Sequence, residues 1–110
     1  MIRGEIYLAD LGEPIGHEQA MTRPVLIVSA QPWLDSNPRF VAVLPLTRTN
    51  RQRSTHVEIE TGTSGLKSTS YAKCEEIRAI SPRRLSQRYG RADDFVLANV
   101  GRSLHRLLAI

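Results

Sequence analysis

Short apolar runs separated by polar, turn-rich stretches predict a mainly β chain. The run at 25–28 holds four consecutive aliphatic side chains between Pro24 and Ser29, which is typical of a strand buried on both faces. Arg23 precedes this run, so we expect its guanidinium at the boundary between core and solvent. There it is either a rim salt bridge or a bidentate clamp for a phosphate or carboxylate.

Three further segments have the pattern of strands. Residues 2–9 mix alternation with β-forming side chains. Residues 40–47 form another apolar run, in which Pro45 favours an edge strand or a bulge. Residues 56–60 alternate polar and apolar positions, as a partly exposed strand does. With the run at 25–28, these segments account for most of a small sheet.

The segment 70–80 combines strand-like alternation with four charges. Alternation directs Lys73 and Glu75 to one face of the predicted strand. Glu76 and Arg78 then face the other way, so at least one carboxylate should lie near a cation. The simplest such contact is a cross-strand ion pair, which contributes little at a surface.

Helical segments are predicted at two places. Residues 31–38 predict a helical turn that folds Trp33 and Leu34 back onto the core. After a short final strand at 86–91, Asp93 is the predicted N-cap of a C-terminal helix. The apolar stripe of this helix, which packs on the sheet or across a dimer, consists of Val96, Val100, Leu104, Leu107 and Leu108.

Composition bounds the size and the partners of the protein. A chain of 110 residues with 41% hydrophobic residues is expected to fold as one compact domain. Fifteen basic against eleven acidic residues give a net charge of +4, which permits an anionic partner such as nucleic acid. Aromatic residues make up only 5% of the chain, which disfavours recognition of RNA mainly by base stacking.

The single cysteine, Cys74, cannot form an internal disulfide or, alone, a thiolate metal site. Nothing ties the fold to an oxidising compartment, so a cytoplasmic location is the default. The charged N-terminus lacks the apolar centre of a signal peptide, and no segment approaches the length of a membrane span. We therefore expect a soluble protein without membrane attachment.

Two polar loops carry further candidate chemistry. Residues 12–22 have turn-forming composition without a helical period, and His17 and Glu18 are their reactive side chains. Residues 48–54 predict an exposed loop whose guanidinium groups repel one another unless an anion binds, which favours contact with RNA or an acidic peptide. The arginines of this loop are Arg48, Arg51 and Arg53.

Five segments, in this order along the chain, carry a resemblance to a known family. They are RGEIYL at 3–8, GHEQ at 16–19, TRPVLIV at 22–28, PLT at 45–47 and KCEEIR at 73–78. Together they resemble the MazF/PemK (Kid) family of toxin endoribonucleases. The resemblance covers most of the chain, and its first three segments are specific as a group.

The resemblance implies a single SH3-like β-barrel domain spanning 1–110, mainly β with a C-terminal helix, that forms a homodimer. It implies the toxin of a type II toxin–antitoxin pair that cuts single-stranded RNA without a metal or cofactor. RNA supplies its own nucleophile, the 2′-OH, so the protein needs only a base, an acid and a cation. The implied protein partner is an antitoxin with an acidic, partly disordered tail.

Site residues follow from the resemblance residue by residue. Arg23 would stabilise the phosphate in the transition state and is a candidate to protonate the leaving 5′-oxygen. The Thr47 hydroxyl would hydrogen-bond the same phosphate. His17 is a candidate base or binding residue. Glu18 and Gln19, which follow it in the same motif, are expected to contact RNA together with the arginines of loop 48–54.

The third catalytic element departs from the family pattern. PemK-like members have Arg-Cys-Asp where this chain has Lys73, Cys74 and Glu75. The signs of the charges are kept, but lysine offers a point charge in place of a planar fork. The assignment of acid and base between Lys73 and Glu75 is therefore open.

Two other functional classes remain open at this stage. The gyrase inhibitor CcdB is similar in fold to the family, but its resemblance rests on a C-terminal Trp-Gly-Ile. This chain ends in Leu-Leu-Ala-Ile, and its one tryptophan is Trp33. The other class is an inactive antitoxin-binding module, in which Lys73 and Glu75 mark lost catalysis.

Overall fold

The structure is a computed structural model that describes residues 1–12 and 22–110. Within these residues the chain forms seven strands, two α helices and two 3-10 turns. The strands are β1 (Glu5–Asp10), β2 (Thr22–Ile27), β3 (Val41–Thr47), β4 (His56–Ile59), β5 (Ser70–Lys73), β6 (Arg78–Ile80) and β7 (Leu85–Arg91). The helices are α1 (Gln31–Asp35) and α2 (Asp94–Leu108), and the 3-10 turns are Cys74–Glu76 and Pro82–Arg84.

The strands form one antiparallel sheet in the order β4-β5-β3-β2-β1-β7, with β6 beside β3. The sheet curls until its two ends approach each other, and the N–H of Arg91 donates to the carbonyl of Thr63 over 2.9 Å. Glycine is required at this approach, because a Cβ at Gly90 would lie 2.3 Å from the Thr63 oxygen. The mainly β class with a C-terminal helix is confirmed, in a barrel-like sheet that stays open.

Two apolar clusters lie on opposite faces of the curled sheet. The larger one packs the inner face against α2 and includes Ile6, Leu26 and Leu44. The smaller one includes Val25 and Val43. Its remaining members are Ala9, Leu11, Ile27, Leu34, Val41 and Ile80.

Helix α1 confirms the predicted helical turn, but only one of its two predicted core contacts. Leu34 is buried, whereas Trp33 is 53% exposed. The indole N–H of Trp33 donates to the carbonyl of Phe40, so the ring lies along the surface and ties α1 to the start of β3. The expectation that Trp33 folds onto the core is wrong.

Strand β3 is central, so the expectation of an edge strand at Pro45 is also wrong. β2 pairs with one side of β3. On the other side β6 pairs with residues 41–43 and β5 pairs with residues 46–47, so the neighbouring strand changes at Leu44 and Pro45. Proline has no N–H to donate, and it lies where the ladder on that side is interrupted.

The segment 70–80 is not the continuous strand that its alternation predicts. β5 ends at Lys73, Cys74–Glu76 form a 3-10 turn, and β6 begins at Arg78. The turn carries the chain past the interruption at Pro45, from one paired stretch of β3 to the other. Because a 3-10 turn lacks two-residue alternation, the predicted faces of Glu75 and Glu76 do not apply.

Helix α2 begins as predicted, since the Asp93 carboxylate accepts a hydrogen bond from the N–H of Val96. Its stripe is buried at Val96 and Val100, and it becomes exposed at Leu107 and Leu108. None of the helices in the described part of the chain has the length and hydropathy to cross a bilayer.

Candidate active site

Arg23 and Thr47 lie on neighbouring strands and line the same cavity. Val25 of β2 is opposite Pro45 of β3, and the same antiparallel register carried two residues further brings Arg23 beside Thr47. Arg23 is exposed, and Thr47 is buried. The cavity beside them has a volume of about 360 Å³ and opens to solvent. The structure thus brings together the two residues to which the sequence assigned the phosphate.

The lining of this cavity is cationic and polar. Arg48 and Lys67 line it together with Arg23, and none of the described lining residues is Asp or Glu. Gln87 and Tyr89 of β7 also line it. Three cations around one open cavity create a positive potential, which attracts an anionic ligand.

A second cluster surrounds the carboxylate of Glu75. The Thr55 hydroxyl donates to Glu75 Oε1 over 2.9 Å, and His56 Nε2 lies 2.9 Å from Glu75 Oε2. Burial raises the pKa of Glu75, but the hydrogen bonds from His56, from its own backbone N–H and from Thr55 outweigh burial, so its pKa is lowered. Glu75 is therefore held as a carboxylate at neutral pH.

Lys73 lies at the centre of the charged segment. It is opposite His56 in the β4–β5 ladder, and its ammonium contacts the carboxylate of Glu76 three residues along. The prediction that a carboxylate of this segment lies near a cation is confirmed by the pair of Lys73 and Glu76. Both residues of this pair belong to the segment 70–80, so the pair is not the cross-strand contact that was expected. Lys73 is buried, so this pair is screened less by solvent than a surface pair.

The cavity and the charged cluster occupy adjacent positions on one sheet face. Thr47 is opposite Tyr71, and Lys73 lies two residues beyond Tyr71 on the same side of β5. The side chains of Lys73 and Glu75 do not belong to the described lining of the cavity. The sheet therefore brings Arg23, Thr47 and Lys73 to neighbouring positions on one face, whereas Glu75 lies in the 3-10 turn that follows β5.

Loop 48–54 joins the two groups directly. It starts after Thr47, and at its end the N–H of His56 donates to the carbonyl of Arg53 over 3.0 Å. All residues of the loop are exposed, as predicted for Arg48, Arg51 and Arg53. The loop thus runs from the cavity to the Glu75 cluster.

The remaining predicted residues, His17, Glu18 and Gln19, lie outside the described residues. Conversely, the sequence analysis missed Thr55, His56 and Lys67. Thr55 and His56 are about twenty residues from Glu75, so only the pairing of β4 with β5 reveals the contact. Across residues 1–12 and 22–110, no three His, Cys, Asp or Glu side chains cluster as a metal site would require.

Comparison with known families gives one match that spans residues 2–108. That family is described as the PemK-like, MazF-like toxin of the type II toxin–antitoxin system. The chain is 32% identical over 109 residues to the endoribonuclease EndoA of Bacillus subtilis, covering 98% of this chain and 94% of that protein.

Comparison with solved structures gives the same fold. MazF from Deinococcus radiodurans superposes with a TM-score of 0.83 at 22% identity, covering 97% of this chain and 94% of that one. A mycobacterial endoribonuclease in complex with its cognate antitoxin superposes with a TM-score of 0.81 at 23% identity, covering 100% and 96%. At these identities the likeness concerns the fold.

Proposed function

Because the chain belongs to the PemK-like, MazF-like toxin family of type II toxin–antitoxin systems, we propose that it is an endoribonuclease that cleaves single-stranded RNA without a metal ion. The relative from Bacillus subtilis is named an endoribonuclease. The observation that carries the proposal is the cavity in which Arg23 and Thr47 meet with two further cations. Cleavage of messenger RNA would stop translation, and the loss of translation would explain why the protein is toxic to a cell.

The reaction is an internal displacement at phosphorus. The 2′-oxygen bonds to the phosphorus as its proton passes to a base, and the bond from phosphorus to the 5′-oxygen breaks as that oxygen gains a proton from an acid. The products are a 2′,3′-cyclic phosphate and a 5′-hydroxyl. No water, metal or redox partner enters this balance.

Arg23 and Thr47 act on the phosphate in this mechanism. The guanidinium of Arg23 donates two parallel hydrogen bonds to the non-bridging oxygens, whose negative charge grows in the transition state. The Thr47 hydroxyl donates to the same phosphate. Because Thr47 is buried on a central strand, its hydroxyl is preorganised, and little reorganisation accompanies the reaction.

Glu75, Lys73 and His17 supply the proton transfers. Glu75, whose pKa is lowered, is ionised and can accept the 2′-hydroxyl proton. Lys73, as an ammonium, can donate to the leaving 5′-oxygen or balance the charge of the phosphate. His17 is a further candidate base.

The RNA strand would follow the arginine loop. Arg48 lines the cavity, and Arg51 and Arg53 continue the positive charge from it toward Glu75. Guanidinium groups along such a loop can neutralise phosphates of the strand. Glu18 and Gln19 are proposed to contact bases from the neighbouring loop.

Two protein partners belong to the proposal. The first is a second copy of the chain, since the apolar stripe of α2 remains exposed at Leu107 and Leu108. The second is an antitoxin, as in the mycobacterial complex with the same fold. An acidic, partly disordered tail would fold along the cationic groove, by which we mean the Arg23–Thr47 cavity together with loop 48–54, and would exclude RNA from it.

The substitution Arg23→Ala tests the site. Removing a preorganised charge donor should lower the rate of RNA cleavage by about 10²-fold or more. Arg23→Lys should also be impaired, because a point charge replaces the fork. Cleavage of a fluorogenic single-stranded RNA measures both rates, and Arg39→Ala, an exposed arginine outside the cavity, is the matched control. Normal cleavage by a folded Arg23→Ala protein would show that Arg23 forms only a rim salt bridge and has no role in cleavage.

A further inference from the structure

We propose that His56 is a positioning residue for RNA cleavage, which together with Thr55 orients the carboxylate of Glu75 that accepts the 2′-hydroxyl proton. The inference rests on the proposed function and deepens it, because it assigns the base. Neither Thr55 nor His56 touches the phosphate in this account. Both act through Glu75.

The contacts to Glu75 fix the orientation of its carboxylate. Oε1 accepts from the Thr55 hydroxyl and Oε2 contacts His56 Nε2, each over 2.9 Å. A carboxylate held at one oxygen can still rotate about its terminal torsion, whereas one held at both oxygens cannot. The remaining lone pair of each oxygen then has a set direction, which a base needs when it takes a proton from a positioned hydroxyl.

The supporting histidine and the glutamate that it supports differ in solvent exposure. The side chain of His56 is 3% exposed, whereas that of Glu75 is 30% exposed. The carboxylate can therefore meet a substrate that arrives from solvent, while the imidazole lies beneath it. This is the arrangement expected of a group that holds a base in place and does not itself contact RNA.

The hydrogen on the imidazole is assigned by its partner. An ionised carboxylate only accepts hydrogen bonds, so Nε2 of His56 carries the hydrogen. His56 Nδ1 is buried and has no hydrogen-bond partner in the described part of the chain. A buried polar atom without a partner costs stability, so packing alone does not explain a histidine at this position. The contact of Nε2 with the carboxylate of Glu75 does explain the histidine.

The neighbouring charges assign the base to Glu75 and not to Glu76. Glu76 contacts the ammonium of Lys73, while Glu75 is held by a hydroxyl and an imidazole. Proton transfer to a carboxylate that is paired with an ammonium also breaks an ion pair. Lys73 lies opposite His56 in the β4–β5 ladder, so His56 has both the cation and the supported carboxylate as neighbours.

Substitutions of His56 separate positioning from packing. His56→Gln retains an N–H donor that reaches the place of Nε2, whereas His56→Leu removes the donor and keeps an apolar side chain. We expect His56→Leu to lower kcat by about 10- to 100-fold with KM within about threefold, as loss of a supporting contact commonly does. We expect His56→Gln to recover most of this loss. Initial rates of cleavage over a range of RNA concentrations measure kcat and KM for both variants.

A second pair of variants covers the case in which His56→Leu does not fold. Thr55→Val removes the hydroxyl without changing the shape of the side chain, and Thr55→Ser keeps the hydroxyl. Thr55→Val should lower kcat and Thr55→Ser should not. Circular dichroism and thermal unfolding of each variant show that it is folded.

A double-substitution cycle with Glu75→Gln completes the experiment. If His56 acts through Glu75, His56→Leu should have no further effect on kcat in the Glu75→Gln protein. Equal losses in both backgrounds, or a His56→Gln protein as slow as His56→Leu, would overturn the inference while leaving RNA cleavage established. No cleavage of any RNA by the unaltered protein would instead contradict the proposed function and, with it, this inference.

Discussion

Glu5 shows how a single buried charge organises the start of the chain. The residue is only 5% exposed, and its carboxylate contacts the guanidinium of Arg88 on β7. It also accepts hydrogen bonds from the N–H of Ile2 and from the hydroxyl of Tyr7. Burial raises the pKa of Glu5, but the hydrogen bonds from Arg88 and from the N–H of Ile2, together with the charges of Arg88 and the N-terminus, outweigh burial and lower the pKa. The carboxylate therefore stabilises the folded state while it is ionised.

Glu5→Gln should weaken the fold in a pH-dependent way. A group whose pKa is lowered on folding contributes fully above its unfolded-state pKa of about 4.3, and the contribution is lost as the pH falls through the folded-state pKa. We expect a loss of about 1–3 kcal/mol in the free energy of unfolding at pH 7. The difference from the unaltered protein should shrink below pH 4.

Urea unfolding at several pH values measures this effect. Glu60→Gln is the matched control, because Glu60 is an exposed glutamate at the end of β4. If the loss in the free energy of unfolding caused by Glu5→Gln stays constant from pH 7 to pH 3, the ionised carboxylate of Glu5 is not what stabilises the fold.

At the scale of elements, loop 48–54 is the part whose function depends least on packing. Its residues are all exposed, and it starts beside Thr47 and ends beside His56. An exposed loop with three guanidinium groups gains order when an anion binds. We therefore expect the loop to contribute binding and not chemistry.

Changing Arg51 and Arg53 to Ala should weaken RNA binding and flatten its dependence on salt. Two lost phosphate contacts on a single strand reduce the slope of log Kd against log salt by about 1.4. Fluorescence anisotropy with an uncleavable 2′-deoxy oligonucleotide gives the slope. The control is Arg39→Ala with Arg106→Ala, two exposed arginines elsewhere. An unchanged slope would place the RNA away from the loop.

The elements also show what a sequence can and cannot reveal. Alternation and apolar runs predicted most strands, and Asp93 marked the start of α2, because these signals are local. The break at 74–76 was not predictable, since it depends on the change of partner along β3 at Pro45. The contact of His56 with Glu75 requires the β4–β5 register, which a single sequence does not encode in any short window.

The resemblance, not the periodicity, supplied the candidate site. The residues around Arg23 alone favoured a rim salt bridge over a phosphate clamp. Its place beside Thr47 follows from the register of β2 and β3, which no pattern in the sequence specifies. The assignments of Lys73 and Glu75 stay predictions, and the structure adds the partners that hold each of them.

At the scale of the whole molecule, net charge and shape favour one groove for two anionic ligands. The chain carries a net charge of +4, and five of its fifteen basic residues lie at the cavity or in loop 48–54, namely Arg23, Arg48, Arg51, Arg53 and Lys67. RNA and an acidic protein tail present similar charge to such a surface. Inhibition then needs no conformational change in the toxin.

An acidic antitoxin tail should compete with RNA for this groove. Titrating the tail into the protein bound to labelled uncleavable RNA should release the RNA, and higher salt should weaken the tail less than the RNA because apolar anchors persist. The double variant at Arg51 and Arg53 should bind both ligands more weakly. Simultaneous binding of RNA and tail to one site would contradict the shared groove.

The central claim is that this chain cuts RNA by internal attack of the 2′-hydroxyl at the Arg23–Thr47 cavity. The most direct test incubates the purified protein, in excess EDTA, with two oligonucleotides that differ only by a 2′-deoxy sugar at the mapped cleavage site. Internal attack predicts cleavage of the all-ribose strand to a 2′,3′-cyclic phosphate and a 5′-hydroxyl, and an intact deoxy-substituted strand. Cleavage of both strands, or activity that EDTA abolishes and magnesium restores, would contradict it.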